Sequence, residues 1–361
     1  MVLRRRSKRL KLKYLIAVTI ISSLNLIVII FVRKYLNYTS LPSTSSTTTS
    51  TSSTSITHFL SETSIDSTHL LLTSSIIGCR QFPAYNNRSF YEREYPQLNL
   101  PKRISNLSYK NILHQLHSLR LIIISCVRNV ASKIDKYQKH IEPILDLFHP
   151  SSRILIFESD SNDKTVEKLY QWSRAQVYTY GTLSKKYPDT TKRLAYCRNI
   201  LLDKAHSLKA DYILITDIDI FSTTVSSFLS NFQYNINDWS VMTVSSSGLY
   251  HDIWALRTLS NSVMNYDVWN RIENLEKPKH NYCKQSLIKS IIGIHQKHIP
   301  IERGLIEVRS AFGGGGLYRA NSTYQCKYNS RSSTCEHVPF HLCIRDMNEA
   351  RIFINSQFQI V

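Results

Sequence analysis

The chain has 361 residues, of which 42% are hydrophobic and 20% charged, and its formal net charge is +19. Nine of its 45 Lys and Arg residues precede residue 35, where no Asp or Glu occurs, so residues 35–361 carry +10 of that charge. A positive surplus of this size is typical of a solvated basic surface or of a protein that binds a small anionic ligand, and it does not require nucleic acid.

The N-terminus predicts a membrane anchor. Residues 1–13 form a basic tail, and Leu15–Val32 contains no charged residue over eighteen positions, which is near the lower limit for a helix that spans a bilayer. Because basic residues predominate before this segment, the positive-inside rule places the N-terminus in the cytosol. We therefore interpret residues 14–34 as a single-pass, type II signal anchor in the Golgi or ER membrane; a cleaved signal peptide is the alternative.

Residues 35–78 are predicted to be a disordered stem. Thr39–Thr57 consists almost entirely of Ser and Thr, and such a tract cannot bury a hydrophobic core. N-glycosylation triplets begin at four asparagines and agree with a lumenal position: Asn37, Asn87, Asn106 and Asn321. A lumenal domain does not meet nucleic acid, so nucleic acid is not expected among its partners.

All seven cysteines follow the anchor, at positions 79, 126, 197, 283, 326, 335 and 343. Some of them are expected to pair in an oxidising lumen, although the sequence does not give the connectivity and the odd count leaves one over. Cys126 lies in a predicted core strand, where a buried free thiol is plausible. A local bridge is expected among Cys326, Cys335 and Cys343. A zinc site is disfavoured because no CxxC pair occurs.

Residues 79–361 are long enough for one large lumenal catalytic domain. Apolar runs and helical spacing predict strands at residues 121–127, 153–157, 176–180, 212–216 and 239–245, and helices at 164–174 and 193–208. Strands that alternate with helices indicate an α/β fold with a mostly parallel sheet flanked by helices. Around residues 278–305 the pattern predicts only loops and a peripheral helix.

The most informative segment is the apolar run that ends in Asp217 and Asp219. In an extended strand, residues i and i+2 point to the same side, so both carboxylates would stand together at the carboxyl end of a buried strand. Open α/β sheets bind ligands at that edge. Two carboxylates there need a compensating cation, and Mg²⁺ or Mn²⁺ with a phosphorylated substrate fits them best.

A glycine run near the C-terminus, at residues 313–316, is the second candidate ligand segment. Glycine allows positive φ and close approach of the backbone to a ligand, and Gly314 and Gly315 are the positions we expect to approach a cofactor. The run matches neither the P-loop nor the dinucleotide-binding fingerprint.

Several segments resemble a known family. Glu158–Thr165 is similar to the ExxSxDxT segment of GT-A fold glycosyltransferases, and Arg193–Asn199 resembles the R-x-A-x-x-R-N helix of the fungal capsule-associated α-1,3-mannosyltransferase group. Tyr250–Arg257 is similar to the Y-D-x-W-x-x-R segment of that group, with His251 inserted. Cys335–His341 resembles a C-terminal C-E-H-x-x-F-H pattern. The resemblance covers residues 120–345, and the order of the motifs is more specific than any one of them.

The resemblance implies a GT-A-like domain that binds a nucleotide sugar at the strand ends and transfers the sugar to a glycan or glycoprotein acceptor. Asp217 and Asp219 would hold Mn²⁺ or Mg²⁺ against the donor diphosphate, with His337, or less favourably His341, as a third ligand. The resemblance assigns the remaining donor contacts to Glu158, Asp160 and Asp163 for the nucleoside and to Arg193 or Arg198 for phosphate.

The acceptor side is less defined. An inverting enzyme needs a base to deprotonate the acceptor hydroxyl, and Asp252 and Glu336 are the candidate catalytic residues. A retaining enzyme needs no such base. The sugar is not determined, and mannose is favoured by the resemblance alone.

Structural interpretations compete with each of these assignments. The Glu158–Thr165 segment is also typical of a turn in which Asp163 or Thr165 caps the next helix. Arg193 and Arg198 would face solvent on a surface helix, Tyr250–Arg257 would be an aromatic core turn, and Pro339 argues against a helix that carries His337 and His341.

Two other classes of function stay open. An aspartate-dependent phosphotransferase also carries Asp-x-Asp after a strand, but it would require a small hydroxyl residue where Ile220 and Phe221 follow here. A non-enzymatic lumenal binding or scaffold protein is the third class.

Overall fold

A computed structural model describes residues 78–83, 86–94, 97–330 and 334–361. The predicted basic tail and anchor lie outside these ranges, as does the predicted stem up to residue 77. Within the described ranges, no helix has the length and apolar composition needed to cross a bilayer. All described residues belong to one compact unit, Ser74–Val361.

The first half of the sheet is parallel. Its strands are β1 (Leu121–Val127), β2 (Arg153–Glu158), β3 (Ala175–Thr179) and β4 (Tyr212–Thr216), in the spatial order β3-β2-β1-β4. β1, β2 and β4 are buried almost throughout, which is the pattern of parallel strands covered on both faces. The sequence predicts β1 and β4 with the observed bounds, and β2 and β3 to within one residue at each end.

The second half of the sheet is mixed. It contains β5 (Val241–Ser246), β6 (Arg257–Thr258), β7 (Leu305–Ser310), β8 (Gly315–Arg319) and β9 (Ile352–Ile360). The order continues from β4 as β8-β5-β9-β7-β6, and β8 is antiparallel to both β4 and β5. Only β5 and β9 pair in parallel here. The prediction of a mostly parallel sheet is therefore wrong for this half, because a hydrophobic pattern indicates a strand but not its direction, which depends on contacts between distant segments.

Helices cover both faces of the sheet. They are α1 (Phe90–Arg93), α2 (Asn106–Leu116), α3 (Ile134–Leu145), α4 (Thr165–Gln171), α5 (Thr190–Ser207), α6 (Val225–Leu229), α7 (Val268–Glu276), α8 (Lys284–Leu287) and α9 (His337–Asn348). A π-helical segment, Ile288–Gly293, continues α8, and 3₁₀ turns occupy Ser230–Gln233, Ile301–Arg303 and Ala320–Thr323.

Two hydrophobic cores result, one on each face, and β1 contributes to both by strand alternation. Ile122 and Ile124 pack with Leu201 of α5, whereas Ile123 packs with Ile141 of α3. Each of these fully buried side chains contributes roughly 1.5–3 kcal/mol through removal of apolar surface from water. The alternation fixes which strand residues face which helix layer.

Helix α9 contradicts the argument from Pro339. Pro339 is the third residue of this helix, in the first turn, where a backbone N–H has no intrahelical acceptor and proline therefore removes no hydrogen bond. His337 and His341 consequently do share a helical face, with ring centroids 5.6 Å apart.

Three disulfides are present: Cys79–Cys283, Cys126–Cys197 and Cys326–Cys343. Cys335 is the free and buried cysteine, so the assignment of the free thiol to Cys126 is wrong. Cys126 pairs because β1 packs directly against α5, a contact that the linear sequence does not show. The expected local C-terminal bridge is Cys326–Cys343, and closing a loop of that length contributes about 3 kcal/mol in the chain-entropy account.

Candidate active site

The chain turns sharply as it leaves β4. The carbonyl of Asp217 accepts hydrogen bonds from the N–H groups of Ile220 (3.1 Å) and Phe221 (2.8 Å), so the backbone is not extended here. The expectation that strand alternation aligns Asp217 with Asp219 is therefore wrong. The Asp217 side chain is only 28% exposed and points to α5, whereas Asp219 is exposed.

The glycine run, residues 313–316, packs against this turn. The N–H of Asp217 donates to the carbonyl of Gly314 at 3.0 Å. A Cβ on Gly314, whose φ is +95°, would lie 2.8 Å from Ile220 Cγ2, and a Cβ on Gly315 would lie 2.5 Å from Phe221 Cδ2. These glycines are needed because two segments of the protein approach each other closely. Gly314 also lines the pocket described below, whereas Gly315 does not.

Arg198 connects the turn to the C-terminal helix. One terminal nitrogen of its guanidinium donates to Asp217 Oδ1 at 2.9 Å, and the other donates to Glu336 Oε1 from across 138 residues of sequence. The guanidinium lies over the Phe312 ring, 5.3 Å from its centroid. The Arg198 side chain is only 3% exposed, so the interpretation of Arg198 as a solvent-facing residue is wrong.

A pocket of about 300 Å³ opens beside this ion pair. It brings together six predicted site residues: Arg198, Asp217, Asp252, Gly314, Glu336 and His337. Its charged lining is thus three carboxylates and one guanidinium, a net negative surface. Burial raises the pKa of Asp217, and the charges of Asp219 and Asp252 act in the same direction while Arg198 opposes them. A bound cation would relieve this carboxylate repulsion.

His337 has an unsatisfied nitrogen beside the pocket. Its Nδ1 lies 3.4 Å from Tyr328 Oη, while Nε2 is buried without a hydrogen-bond partner and lies 3.8 Å from Glu336 Oε1. Burial holds the pKa of His337 well below its ordinary value, so the imidazole is neutral at physiological pH. A neutral imidazole with a free ring nitrogen is the form that ligates a metal.

His341 differs from His337 in that both of its ring nitrogens are engaged. Nδ1 lies 2.9 Å from Ser310 Oγ and Nε2 lies 2.7 Å from Tyr318 Oη. Burial lowers the pKa of His341 to about 3. Because neither nitrogen remains free, His341 is a structural histidine in this arrangement.

The predicted metal ligands are only partly assembled. In the described part of the chain, no three His, Cys, Asp or Glu side chains are grouped as a metal-binding cluster. Asp217 and His337 line one pocket, but Asp219 is not part of its lining. The donor set of two carboxylates and one imidazole has the chemistry that Mn²⁺ accepts, and the unpartnered Nε2 of His337 fits such a ligand. The assignment of Asp217, Asp219 and His337 stays a prediction.

Neither candidate base has a carboxylate free of protein contacts. Asp252 Oδ2 accepts from the N–H of Gly313 at 2.8 Å, and Oδ1 accepts from the N–H of Ala255 at 3.1 Å. Glu336 is 2% exposed and is bound by Arg198. Asp252 is half-buried in the pocket wall and also ties the loop after β5 to the glycine run.

The acidic loop after β2 is held by its own hydrogen bonds. Glu158 Oε1 accepts from the N–H of Ser161 at 3.0 Å. Asp160 accepts from the N–H and the hydroxyl of Ser184, the latter at 2.6 Å. Asp163 accepts from the N–H groups of Ala131 (3.1 Å) and Thr165 (3.0 Å). The N-cap of α4 is nevertheless Lys164, and no side chain makes a capping bond there, so the interpretation of Asp163 or Thr165 as the N-cap is wrong. The nucleoside role of Glu158, Asp160 and Asp163 stays a prediction.

Arg193 is also a structural anchor. Its guanidinium donates to the carbonyls of Tyr187 (2.7 Å) and Pro188 (2.6 Å) and to Thr190 Oγ1 (2.9 Å), and so it fixes the entry into α5. Arg193 is expected from the sequence either to contact phosphate or to face solvent on its helix. The observed bonds correspond to neither expectation. Arg193 also borders a second pocket of about 160 Å³, at the ends of β1 and β2.

Sequence reasoning missed part of the pocket wall. Ile220, Trp254, Trp269 and Gln296 line it beside the predicted residues. Trp254 lies within the motif of Tyr250–Arg257, which is therefore divided: Tyr250 is buried in the core, whereas His251, Asp252 and Trp254 border the pocket. The sequence around Trp269 contains no motif that predicts a site residue, because nothing in it indicates that α7 reaches the end of β4.

No protein-family model and no curated protein sequence matches the chain. Among solved structures, it is similar to residues 1–349 of TarS from S. aureus in complex with UDP, with a TM-score of 0.39 and 13% identity over 67% of this chain and 59% of that one. It is also similar to the mannosyltransferase PcManGT from Pyrobaculum calidifontis in complex with GDP-Man and Mn²⁺, with a TM-score of 0.39 and 11% identity over 67% and 56% of the two chains.

A third similar structure is glucosyl-3-phosphoglycerate synthase from Mycobacterium tuberculosis in complex with Mn²⁺, UDP and phosphoglyceric acid. Its TM-score is 0.37, with 10% identity over 70% of this chain and 71% of that one. The chain thus spans less than two thirds of the length of the TarS fragment and of PcManGT. Similarity at this level establishes neither a shared fold nor a shared activity.

Proposed function

We propose that the protein is a metal-dependent glycosyltransferase that moves a sugar from a nucleotide-sugar donor to a glycan or glycoprotein acceptor. The observation that carries the proposal is the pocket at the end of β4, where Asp217, the buried guanidinium of Arg198 and the unpartnered imidazole of His337 lie together. A concave site with a few convergent polar groups and shifted pKa values is the usual form of an active site.

Asp217, Asp219 and His337 are the residues that would hold the cation, Mn²⁺ or Mg²⁺. When bound, the cation neutralises charge on the diphosphate leaving group. Arg198 holds Asp217 in a fixed orientation, since its guanidinium is anchored on the other side by Glu336. Because both of these contacts are carboxylates, we assign Arg198 to positioning of the site and not to direct phosphate binding.

If the reaction inverts the configuration of the sugar, Asp252 and not Glu336 is the base that deprotonates the acceptor. Glu336 is buried and compensates the charge of Arg198, so its protonation would leave a buried cation without its full complement of partners. Asp252 is half-buried in the pocket wall and is bound only by neutral backbone amides.

The cellular setting is part of the same proposal. A type II anchor at residues 14–34 would tether the domain to the bilayer in the lumen of the Golgi or ER. Three disulfides in one domain fit that oxidising compartment. Mannose from GDP-mannose is the donor that the motif resemblance favours.

Thermal melting against a panel of nucleotide diphosphates and sugar nucleotides, with and without Mn²⁺, tests the function. A ligand that binds only the native state raises the melting temperature. We expect one nucleotide to raise it only with Mn²⁺, and the shift to vanish in Asp217→Asn. The same substitution should lower the rate of sugar transfer by about 100-fold or more while the unliganded protein stays folded.

Asp203→Asn is the matched control, because Asp203 is an exposed carboxylate paired with Lys327 on the outer surface of α5. It should leave both the nucleotide shift and the transfer rate unchanged. A well-folded protein that responds to no nucleotide would favour a non-enzymatic binding protein. An unfolded Asp217→Asn variant would assign Asp217 a structural role.

A further inference from the structure

The pocket beside Asp217 has an aromatic wall that the proposed donor chemistry does not use. Trp254, from the loop between β5 and β6, and Trp269, in the first turn of α7, both line it. Trp269 is 44% exposed and Trp254 is half-buried. A large indole that stays exposed inside a concave site offers an apolar face that a ligand can cover.

A single carboxylate holds both segments of the wall in place. Asp267 Oδ2 accepts from Trp254 Nε1 at 3.0 Å and from Thr334 Oγ1 at 2.8 Å. Its other oxygen, Oδ1, caps α7 by accepting the backbone N–H groups of Trp269 and Asn270, each at 3.1 Å. Because both the Trp254 indole and the backbone of Trp269 are bound to Asp267, the wall is formed before any ligand arrives.

Arg257 completes this support. Its guanidinium donates to Asp267 Oδ2 at 3.3 Å and to the carbonyls of Trp254 (2.9 Å) and Leu256 (2.7 Å). The Arg257 and Asp267 side chains are only 6% and 8% exposed. The pair is therefore a buried scaffold behind the wall, and its charges do not face the ligand.

The chemistry around the wall selects the kind of ligand. A pyranose ring presents an apolar C–H face and a rim of hydroxyl groups, and an indole face beside polar side chains matches both. His251, Asp252 and Gln296 supply such polar groups in the same lining. Beside the two indoles the charged lining residue is the carboxylate of Asp252, which suits a hydroxyl-bearing neutral ligand better than an anionic one. A volume of about 300 Å³ is at the lower end of the range for ligand pockets and suits a ligand of sugar-ring size.

We propose that Trp254 and Trp269 form the binding platform for a neutral pyranose ring of the acceptor, with Asp267 as the residue that positions both. This inference rests on the function proposed above, because the wall lies in the same pocket as Asp217, where the donor would bind. The acceptor would be a glycan whose terminal sugar stacks on the aromatic wall and directs a hydroxyl towards Asp252.

Intrinsic fluorescence tests the platform without any donor. The chain has four tryptophans, and the other two, Trp172 and Trp239, are 4% and 1% exposed. A change on sugar binding therefore reports on the wall. The probes are methyl α-mannopyranoside, methyl β-galactopyranoside and methyl β-N-acetylglucosaminide, added to the intact protein without metal. We expect a saturable change with at least one of them.

Variants of Trp269 separate stacking from folding. Trp269→Ala should weaken binding of that glycoside about tenfold, whereas Trp269→Phe keeps an aromatic face and should retain most of the affinity, measured by calorimetry. Tyr170→Ala is the matched control, because Tyr170 is a 67% exposed aromatic residue on α4. It should bind the glycoside as the unmodified protein does.

Steady-state kinetics separate this inference from the proposed function. Trp269→Ala should raise the KM for the acceptor about tenfold while the KM for the sugar nucleotide stays unchanged, whereas Tyr170→Ala should change neither KM. Glycoside binding without any sugar-nucleotide turnover would refute the proposed reaction and leave the glycan platform standing. If no glycoside changes the fluorescence, or if Trp269→Ala weakens nucleotide binding alone, the platform assignment is overturned.

Discussion

Two acidic segments follow β2 and β4, the strands on either side of β1, and their aspartates have different partners. In the loop after β2, Asp160 and Asp163 accept hydrogen bonds from backbone N–H groups of adjacent segments. In the turn after β4, Asp217 faces a buried guanidinium and an open pocket, and Asp219 is exposed. Each segment contains two aspartates, but the partners of these aspartates differ.

The pKa directions follow from that difference in partners. Although burial opposes it, hydrogen bonds from Ser184 lower the pKa of Asp160, and those from Thr165 and Ala131 lower that of Asp163. For Asp217, burial prevails over the attraction of Arg198 and the pKa is raised. Carboxylates whose charge is satisfied by amides hold a loop, whereas a carboxylate whose ion pair does not offset its burial is poised for a cation or substrate.

The largest effect on stability should come from removing the buried guanidinium of Arg198, the partner of Asp217 in the second segment. Arg198→Met leaves the Glu336 carboxylate buried without a partner, and loss of one member of a buried ion pair costs about 3–5 kcal/mol. The free energy of unfolding, measured in urea, is expected to fall by that amount.

The double variant Arg198→Met with Glu336→Gln isolates the electrostatic part. It removes the buried charge along with its partner, so it should recover most of the lost stability but not the transfer activity. If the single variant loses less than about 1 kcal/mol, the pair is not a buried ion pair in solution and the comparison between the two segments fails.

A smaller loss is expected where the glycine run meets the turn. Gly315→Ala places a methyl group 2.5 Å from the Phe221 ring, and such overpacking costs typically about 1–3 kcal/mol. Gly248→Ala is the control, because the nearest atom to its added Cβ is Ser246 Oγ at 3.8 Å. That variant should stay within about 1 kcal/mol of the unmodified protein in the same urea titration. Equal losses of unfolding free energy in the two variants would show that the turn after β4 is not packed against the glycine run.

The amide-bound segment should give a smaller effect still. Asp163→Ala removes the acceptor of two backbone N–H groups, and we expect a loss of about 1–2 kcal/mol in unfolding free energy. Sugar transfer should change little if Asp163 only holds the loop. A large rise in the KM for the sugar nucleotide, without a stability change, would instead support the nucleoside role predicted from the motif.

The titration of individual carboxyl groups compares the two segments directly and changes no residue. Carbon-detected NMR should give Asp160 and Asp163 pKa values below 3.8, the ordinary value, and Asp217 a value above it. The free energy of unfolding also depends on pH in opposite directions for Asp217 and for the pair of Asp160 and Asp163. The contribution of Asp160 and Asp163 is complete above the unfolded pKa and is lost as pH falls through their lowered values, whereas that of Asp217 is lost as pH rises. Asp217 titrating below Asp160 would contradict this account.

The sequence predicts what depends on local pattern. Apolar runs give β1, β2 and β4, and helical spacing gives the core of α5, because a buried parallel strand and an amphipathic helix leave their period in the chain itself. The sequence also carries a local signal for the buried position of Arg198. Arg198 falls on the same face of α5 as Ala195, Leu202 and Ala205, and a charged residue on a buried face points to a buried partner.

Other features of the molecule depend on contacts between distant residues. The pairing of Arg198 with Glu336, the disulfide of Cys126 with Cys197 and the antiparallel insertion of β8 between β4 and β5 join segments far apart in sequence. No local period encodes such contacts. The sequence alone determined that an acidic segment ends β4. Tertiary packing decided that Asp217 faces a buried arginine while Asp219 faces solvent, because the chain turns after Asp217 and the glycine run leaves room for that turn where the strand pattern predicted an extended backbone.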